Sequence, residues 1–217
     1  MAVRVFSRID TPVLYIGFDC QYDYVVYGSG DVIVQVHGRP CGGEFPPALP
    51  RIGLEMTVSA DLDSVRWLGR GPGETYPDSK QAGRIGVFAA SVDELCTPYV
   101  FPQENGNRSD VRWLSLTPSR GAGLLAAGMP TLNFSVHRFT TMDLENARHT
   151  VELPRREELT LNLDYRQRPL GTASCGPGPW EIHELRPEEF QFALRLRCYD
   201  RDASSPADLH RTMPEAL

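Results

Sequence analysis

Lysine is nearly missing from this chain of 217 residues: Lys80 is the only one among 22 basic side chains, and the rest are arginine. Arginine suits phosphate recognition, yet a net charge of −6 and no arginine run longer than Arg155-Arg156 leave no nucleic-acid footprint. The five cysteines (Cys20, Cys41, Cys96, Cys175, Cys198) are odd in number and never form a C-x-x-C pair, which excludes a disulfide framework and a cysteine zinc site. The five histidines include no pair at i, i+2 or i, i+4, so no metal site is expected. No apolar run approaches the 18 or so residues of a membrane span. The opening Met1-Ala2-Val3-Arg4 has no apolar core of a secretory signal, and a cytoplasmic setting is expected. Repeats and low-complexity runs are absent.

What the chain has in excess is turn chemistry. There are 19 glycines and 18 prolines, about one residue in six, against a usual share of about 12 %. With 41 % hydrophobic residues the chain is apolar enough for a substantial core. Period-2 alternation dominates. Val32, Val34 and Val36 follow the turn Gly28-Ser29-Gly30-Asp31 and an apolar run ending at Tyr27, which predicts a hairpin. Leu132/Phe134/Val136, Leu159/Leu161/Leu163 and Phe190/Phe192/Leu194/Leu196 likewise place one apolar face on each strand. Only residues 142–148 read as helix, with Thr140 or Thr141 as N-cap and Asp143 and Glu145 in the first turn. The expected fold is all-β, an antiparallel sandwich over residues 1–200 with one short helix, followed by a polar, loosely held tail at 201–217.

Three long Gly/Pro-rich connections are expected to carry function: 39–50, 67–83 and 169–179. In the second, the run from Trp67 through Gly69, Gly71, Pro72, Glu74 and Tyr76 to Asp78 lacks a phosphate-loop pattern. Its glycines are expected to serve positive φ or close backbone approach, with Trp67 and Tyr76 packed beneath and Glu74, Asp78 and Arg70 bonding the loop. A further stretch, Cys96 to Gly106, fixes φ at Pro98 and Pro102 and turns at Asn105-Gly106. Its Glu104 is read as accepting local backbone bonds, with acid–base work open to it if its pKa is raised. In the late loop, Ser174 and Cys175 are nucleophile candidates only if a base lies near, and no G-x-S-x-G or Cys/His signature accompanies them.

Taken in order, Arg51-Ile52-Gly53-Leu54, the run Val65 to Asp78, the run Tyr99 to Arg108, and Gly171…Cys175-Gly176-Pro177 resemble the C-terminal domain, or small chain, of family 2 β-galactosidases. The resemblance covers roughly residues 10 to 198. It implies a galactose mutarotase-like supersandwich that takes part in retaining hydrolysis of terminal β-D-galactosides such as lactose. The catalytic glutamates, and the magnesium and sodium ions, are then expected on a TIM barrel. This chain has no room for one in addition to its strands, so no catalytic residue, metal or cofactor is expected here.

Two positions are implied as substrate contacts. Cys175 aligns with a tryptophan that forms a sugar platform in many members, and a thiol offers a smaller surface than an indole. Gly53 matches a glycine that opens a mobile loop over the site. Trp67, Gly69, Gly71, Pro72, Glu74, Tyr76, Asp78, Pro102, Glu104, Asn105 and Gly106 are implied as the structural rim. The implied partners are a barrel-bearing large chain and the galactoside, in an oligomeric assembly. The family's domain begins several strands earlier, so an uncovered sheet edge and association are expected. A stand-alone carbohydrate-binding or aldose-epimerase-like sandwich, with His137 or His183 beside Glu104, and an inactive fragment are the alternatives.

Overall fold

In the computed structural model, which describes residues 1–171, 176–212 and 214, ten antiparallel strands carry the fold. They are β1 (Ala2–Asp10), β2 (Ile16–Val26), β3 (Asp31–Gly42), β4 (Arg51–Ser59), β5 (Ser64–Gly71), β6 (Arg84–Ser91), β7 (Arg108–Thr117), β8 (Ala122–His137), β9 (Glu158–Gln167) and β10 (Phe190–Asp200). The main sheet runs β1-β2-β3-β10-β8-β7-β5-β6, and β9 joins β8 to β4. The predicted hairpin is β2–β3, paired from Val26↔Val32 outward.

Strand β8 belongs to two layers. Its first half pairs with β10 and β7 (Ala126↔Leu196, Ala127↔Trp113), and its second half with β9 (Phe134↔Leu163, Val136↔Leu161) and the start of β7 (Arg108↔Phe134). Between them the β7 register jumps from Ala127 to Leu132. The chain doubles so closely there that a Cβ on Gly128 would lie 2.3 Å from the Thr131 carbonyl carbon, which only glycine avoids. The predicted apolar sets close one core: Val34, Val36, Trp67, Leu114 and Leu194 of the main sheet meet Phe134, Val136, Leu159, Leu161 and Leu163.

Several segments expected as loop or tail are ordered differently. Arg39 to Gly42 continues β3 against Asp19 to Ile16, and Trp67 to Gly71 completes β5. Among the described residues three short α-helices form rather than one. Helix α1 (Val92–Leu95) starts at a Ser91/Glu94 capping box, and α2 (Thr141–Asn146) at a Thr140/Asp143 box. Within the region read as a loosely held tail, α3 (Pro206–Arg211) starts at Ser205 and seats Ala207 and Leu209 on Trp113, Leu125 and Tyr199. Arg195, 1 % exposed in β10, donates from Nη1 to the carbonyls of Leu209 and Thr212 (2.9 and 2.8 Å) and from Nε to Asp31 (2.6 Å).

Two predictions follow from these contacts. Arg195→Ala leaves Asp31 short of a buried partner and strips the α3 carbonyls; stability is expected to fall by about 3 kcal/mol in urea titrations, with faster hydrogen exchange in α3. Strand β1 is exposed along its whole length, with Val5 41 %, Ile9 55 % and Phe6 72 % exposed on an edge with one neighbour. Light scattering on the isolated chain is expected to show association that Val5→Lys reduces; a monomeric wild type would refute this.

Candidate functional site

A cleft of about 630 Å³ is lined by Glu74, Tyr76 and Asp78 of the second motif, Tyr99 of the third and Gly171 of the late loop. Trp67, 1 % exposed, does not line the cleft but belongs to the core; it donates from Nε1 to the Arg70 carbonyl at 2.9 Å and packs on Phe88 and Phe134. Gly69 and Gly71 lie within β5 with negative or extended φ, pressed against Val111 and Phe88, so close approach and not a left-handed turn is their use. Arg70 donates to the carbonyls of Lys80 and Gly83 (2.7 and 2.9 Å) and, together with Lys80, holds Asp110 at 2.6 Å.

The wall is built by hydrogen bonds between the second and third motifs. Glu74 accepts from the Gly106 amide at 2.7 Å and from the Tyr99 hydroxyl, which burial and this bond push up to about 12. The Thr75 amide donates to the Asn107 carbonyl at 2.8 Å, and the Thr75 carbonyl accepts from Asn107 and Ser109 (2.7 and 2.8 Å). Tyr76 is buried, and its hydroxyl faces Glu104 at 3.4 Å; burial, then the Glu104 charge, hold that phenol well above its usual range. Asp78 accepts from the Gly171 amide at 3.1 Å. Pro102 is buried, Asn105 caps its own loop through Thr97 and Gln103, and Gly106 turns at φ +78°.

Arg108, outside the expected rim set, ties these pieces together. It donates to the carbonyls of Leu95 and Gly106 (2.8 and 2.7 Å) and of Pro72 (3.0 Å), with its guanidinium 5.6 Å above the Trp67 ring. Burial lowers its pKa to about 10. Glu104 does not take the local backbone bonds expected of it. It pairs with Arg51 at 3.1 Å, and burial, opposed by Arg51, raises its pKa although about a quarter of the side chain (26 %) reaches solvent.

Gly53 lies inside β4, at a register shift against β9, and not at the mouth of a loop. The implied hinge has no loop at that residue. What the position requires is an absent side chain: a Cβ would stand 2.1 Å from Asp164 Oδ1. Asp164, on the face opposite Leu161 and Leu163, is 1 % exposed, and Asn162 (3 %) and Ser135 (1 %) are buried too. Both faces of the β8–β9 ribbon are covered. Asp164 Oδ2 has no hydrogen-bond partner and lies 3.6 Å from Arg51 Nη2; burial pushes its pKa to about 7.

His137 does not face Glu104. Its Nε2 meets the Asn105 carbonyl at 3.1 Å, so Nε2 carries the hydrogen, and burial lowers the imidazole to about 4. His183 does line the cleft, beside Trp180, whose indole is 75 % exposed. Cys175 and Ser174 lie outside the described residues. Each cleft carboxylate is thus bound to its own wall, Glu74 twice and Asp78 once. The arrangement can shape and orient. It holds no nucleophile paired with a base among the described residues. Among those residues, too, no group of three His, Cys, Asp or Glu side chains could hold a metal, and no helix is long and apolar enough to cross a membrane.

The sequence matches the model of the family described as "Beta galactosidase small chain" over residues 1–196. It is 35 % identical over 162 residues to the β-galactosidase of Priestia megaterium, covering 75 % of this chain and 15 % of that protein. With the Kluyveromyces lactis β-galactosidase it shares 32 % over 195 residues (89 % and 19 %), and with that of Arthrobacter sp. strain B7 37 % over 176 residues (78 % and 17 %). The chain thus spans under a fifth of the length of these relatives. Among solved structures, a galactose mutarotase related enzyme from Lactobacillus acidophilus gives a TM-score of 0.44 at 8 % identity, covering 92 % of this chain and 68 % of that one. An aldose epimerase homologue from C. elegans gives 0.45 at 11 %, covering 92 % and 66 %. Likeness of that degree carries nothing about the cleft's chemistry.

The buried acid gives the cleft a pH signature. Asp164 titrates near 4 when unfolded and about 7 when folded, so its cost is absent below pH 4, grows as pH rises to 7 and is constant above. Asp164→Asn is expected to gain on wild type by roughly 2–4 kcal/mol between pH 4 and pH 7 in denaturant titrations. A gap that does not change with pH would contradict this.

Proposed function

The chain belongs to the β-galactosidase small chain family, and from that premise we propose that it supplies one wall of a β-D-galactoside pocket whose reacting carboxylates reside on a separate barrel. The observation that carries this reading is the state of the cleft acids: Glu74 and Asp78 are spent on holding amides and a phenol in place. A wall so fixed excludes water and orients a sugar without reorganising, which is the contribution of positioning to a retaining hydrolysis. Trp180 offers an exposed aromatic face at the cleft, and by resemblance Cys175 occupies the platform position. Gly53, exposed on β4 beside Arg51, belongs to the same wall.

Val100 (91 % exposed) and Phe101 (63 %) follow Tyr99 at the rim and suit cover by a large partner chain or domain. The magnesium and sodium ions implied by resemblance are assigned by this reading to the barrel. Lactose-type substrates, a cytoplasmic setting and an oligomeric holoenzyme are part of the same proposal.

The test uses Priestia megaterium β-galactosidase from which the matching segment is deleted, with that segment added back as control. A chromogenic β-D-galactoside is expected to be hydrolysed when this chain is added and not by this chain alone. In the mixture, Trp180→Ala is expected to raise KM about 2- to 10-fold, the worth of one aromatic contact. Hydrolysis by the chain alone overturns the reading, as does a mixture that stays inactive where the control segment restores activity.

A further inference from the structure

Beneath the wall, one guanidinium serves two acids. Arg51 Nη2 lies 3.1 Å from Glu104 Oε2 and 3.6 Å from Asp164 Oδ2, while its Nε is held by Gln167 at 3.0 Å. The groups facing Asp164 are Arg51 and Glu55 from β4 and Glu104 from the loop before β7, with uncharged Asn133 opposite it on β8. With both acids ionised the Arg51–Glu104–Asp164 trio carries one surplus negative charge, and Glu55 adds to the repulsion. Two carboxylates competing for one cation in a water-poor site retain a proton between them. Its seat is the acid with the poorer bonds. Glu104 has Arg51, Tyr76 and solvent; Asp164 Oδ2 has no hydrogen bond, and the Gly53 backbone closes over Oδ1.

We propose that Asp164 is a proton-operated positioning residue for the cleft wall. Neutral, it leaves Arg51 to Glu104, which then stands firm against Tyr76 and the Asn105-Gly106 turn. Ionised, it competes for Arg51, and the segment carrying Glu104 loosens. The change passes from β9 to the rim through one side chain, with no rearrangement of the sheet. Burial, which places the Asp164 titration about 7, sets the exchange within the physiological range. The inference concerns regulation of the wall proposed above, but its test needs no galactoside and no partner, so either can fail without the other.

The chain is titrated from pH 5 to pH 9 with two readouts. Infrared spectroscopy follows a buried protonated carboxyl band, assigned to Asp164 by its loss in Asp164→Asn. Hydrogen exchange, corrected for the intrinsic effect of pH, follows peptides spanning 74–79 and 103–108 against the core strand 159–163. The expected result is that the band disappears with rising pH while rim protection falls several-fold over the same interval and the core strand stays unchanged. Asp164→Asn should keep the low-pH protection throughout. Should that variant fail to fold, Glu104→Gln serves, since removing the competing acid frees Arg51 for Asp164 and should move the band's loss to lower pH. A band absent at pH 5, a band that titrates without a change at the rim, a transition that persists in Asp164→Asn, or an unmoved midpoint in Glu104→Gln each overturns the proposal.

Discussion

The cleft depends on a cation buried among carbonyl oxygens. Arg108 spends its guanidinium on the main chain of three separate segments: the end of α1, the Gly106 turn and the loop after β5. The Gly106 turn and the loop after β5 are rich in proline and glycine, and none of the three segments lies within a strand ladder at its bonded carbonyl. A planar fork of donors can satisfy several carbonyls at once in fixed directions, which a lysine cannot. The Trp67 face beneath it and the Glu74 carboxylate nearby offset the cost of removing the charge from water. The wall is therefore a set of loops made rigid from the inside, standing on a sandwich whose core is conventional.

How far the sequence discloses this follows from the range of the interactions involved. The β2–β3 hairpin and the apolar sets of β8, β9 and β10 are periodic over a few residues, and they fold as the alternation indicates. The Thr140 cap of α2 is local in the same sense. Reading Trp67–Gly71 and Arg39–Gly42 as loop fails because glycine and proline mark turns only when no neighbour strand claims the segment; here β6, β7 and β2 do. The Ser91-Val92-Asp93-Glu94 capping box is legible too, but it opens only a single turn, too short to show a helical apolar period. Nothing local announces that β8 divides itself between two layers.

The site was legible as motifs and not as contacts. Glu74, Tyr76 and Asn105 bond within or between the quoted motifs, but Glu104 finds its cation 53 residues away in Arg51. The polar positions of β8 and β9 were the larger omission. Alternation of leucine with Thr160, Asn162 and Asp164 identifies a polar face without saying whether it is covered, because a strand's pattern reports side-chain chemistry and not what lies above it. Their burial is the signal that a second structure, the rim, is stacked on the ribbon.

That stacking joins the wall's rigidity to its sensitivity. A polar layer removed from water must be satisfied group by group, and where it is, as at the Thr75 amide and carbonyl and the Ser109 amide and hydroxyl, it fixes the backbone at little net cost. Where the accounting leaves one acid over, the same dryness that strengthens every other bond makes its charge expensive. Asp164 is that remainder. Moving it to the surface would remove the cost, but its Cβ–carboxyl axis fills the space that Gly53 vacates, and a smaller residue would leave Arg51 to one acid at every pH. A fold that needed only stiffness would have no use for a second carboxylate on that guanidinium; one that must tighten or relax its wall with the proton concentration would.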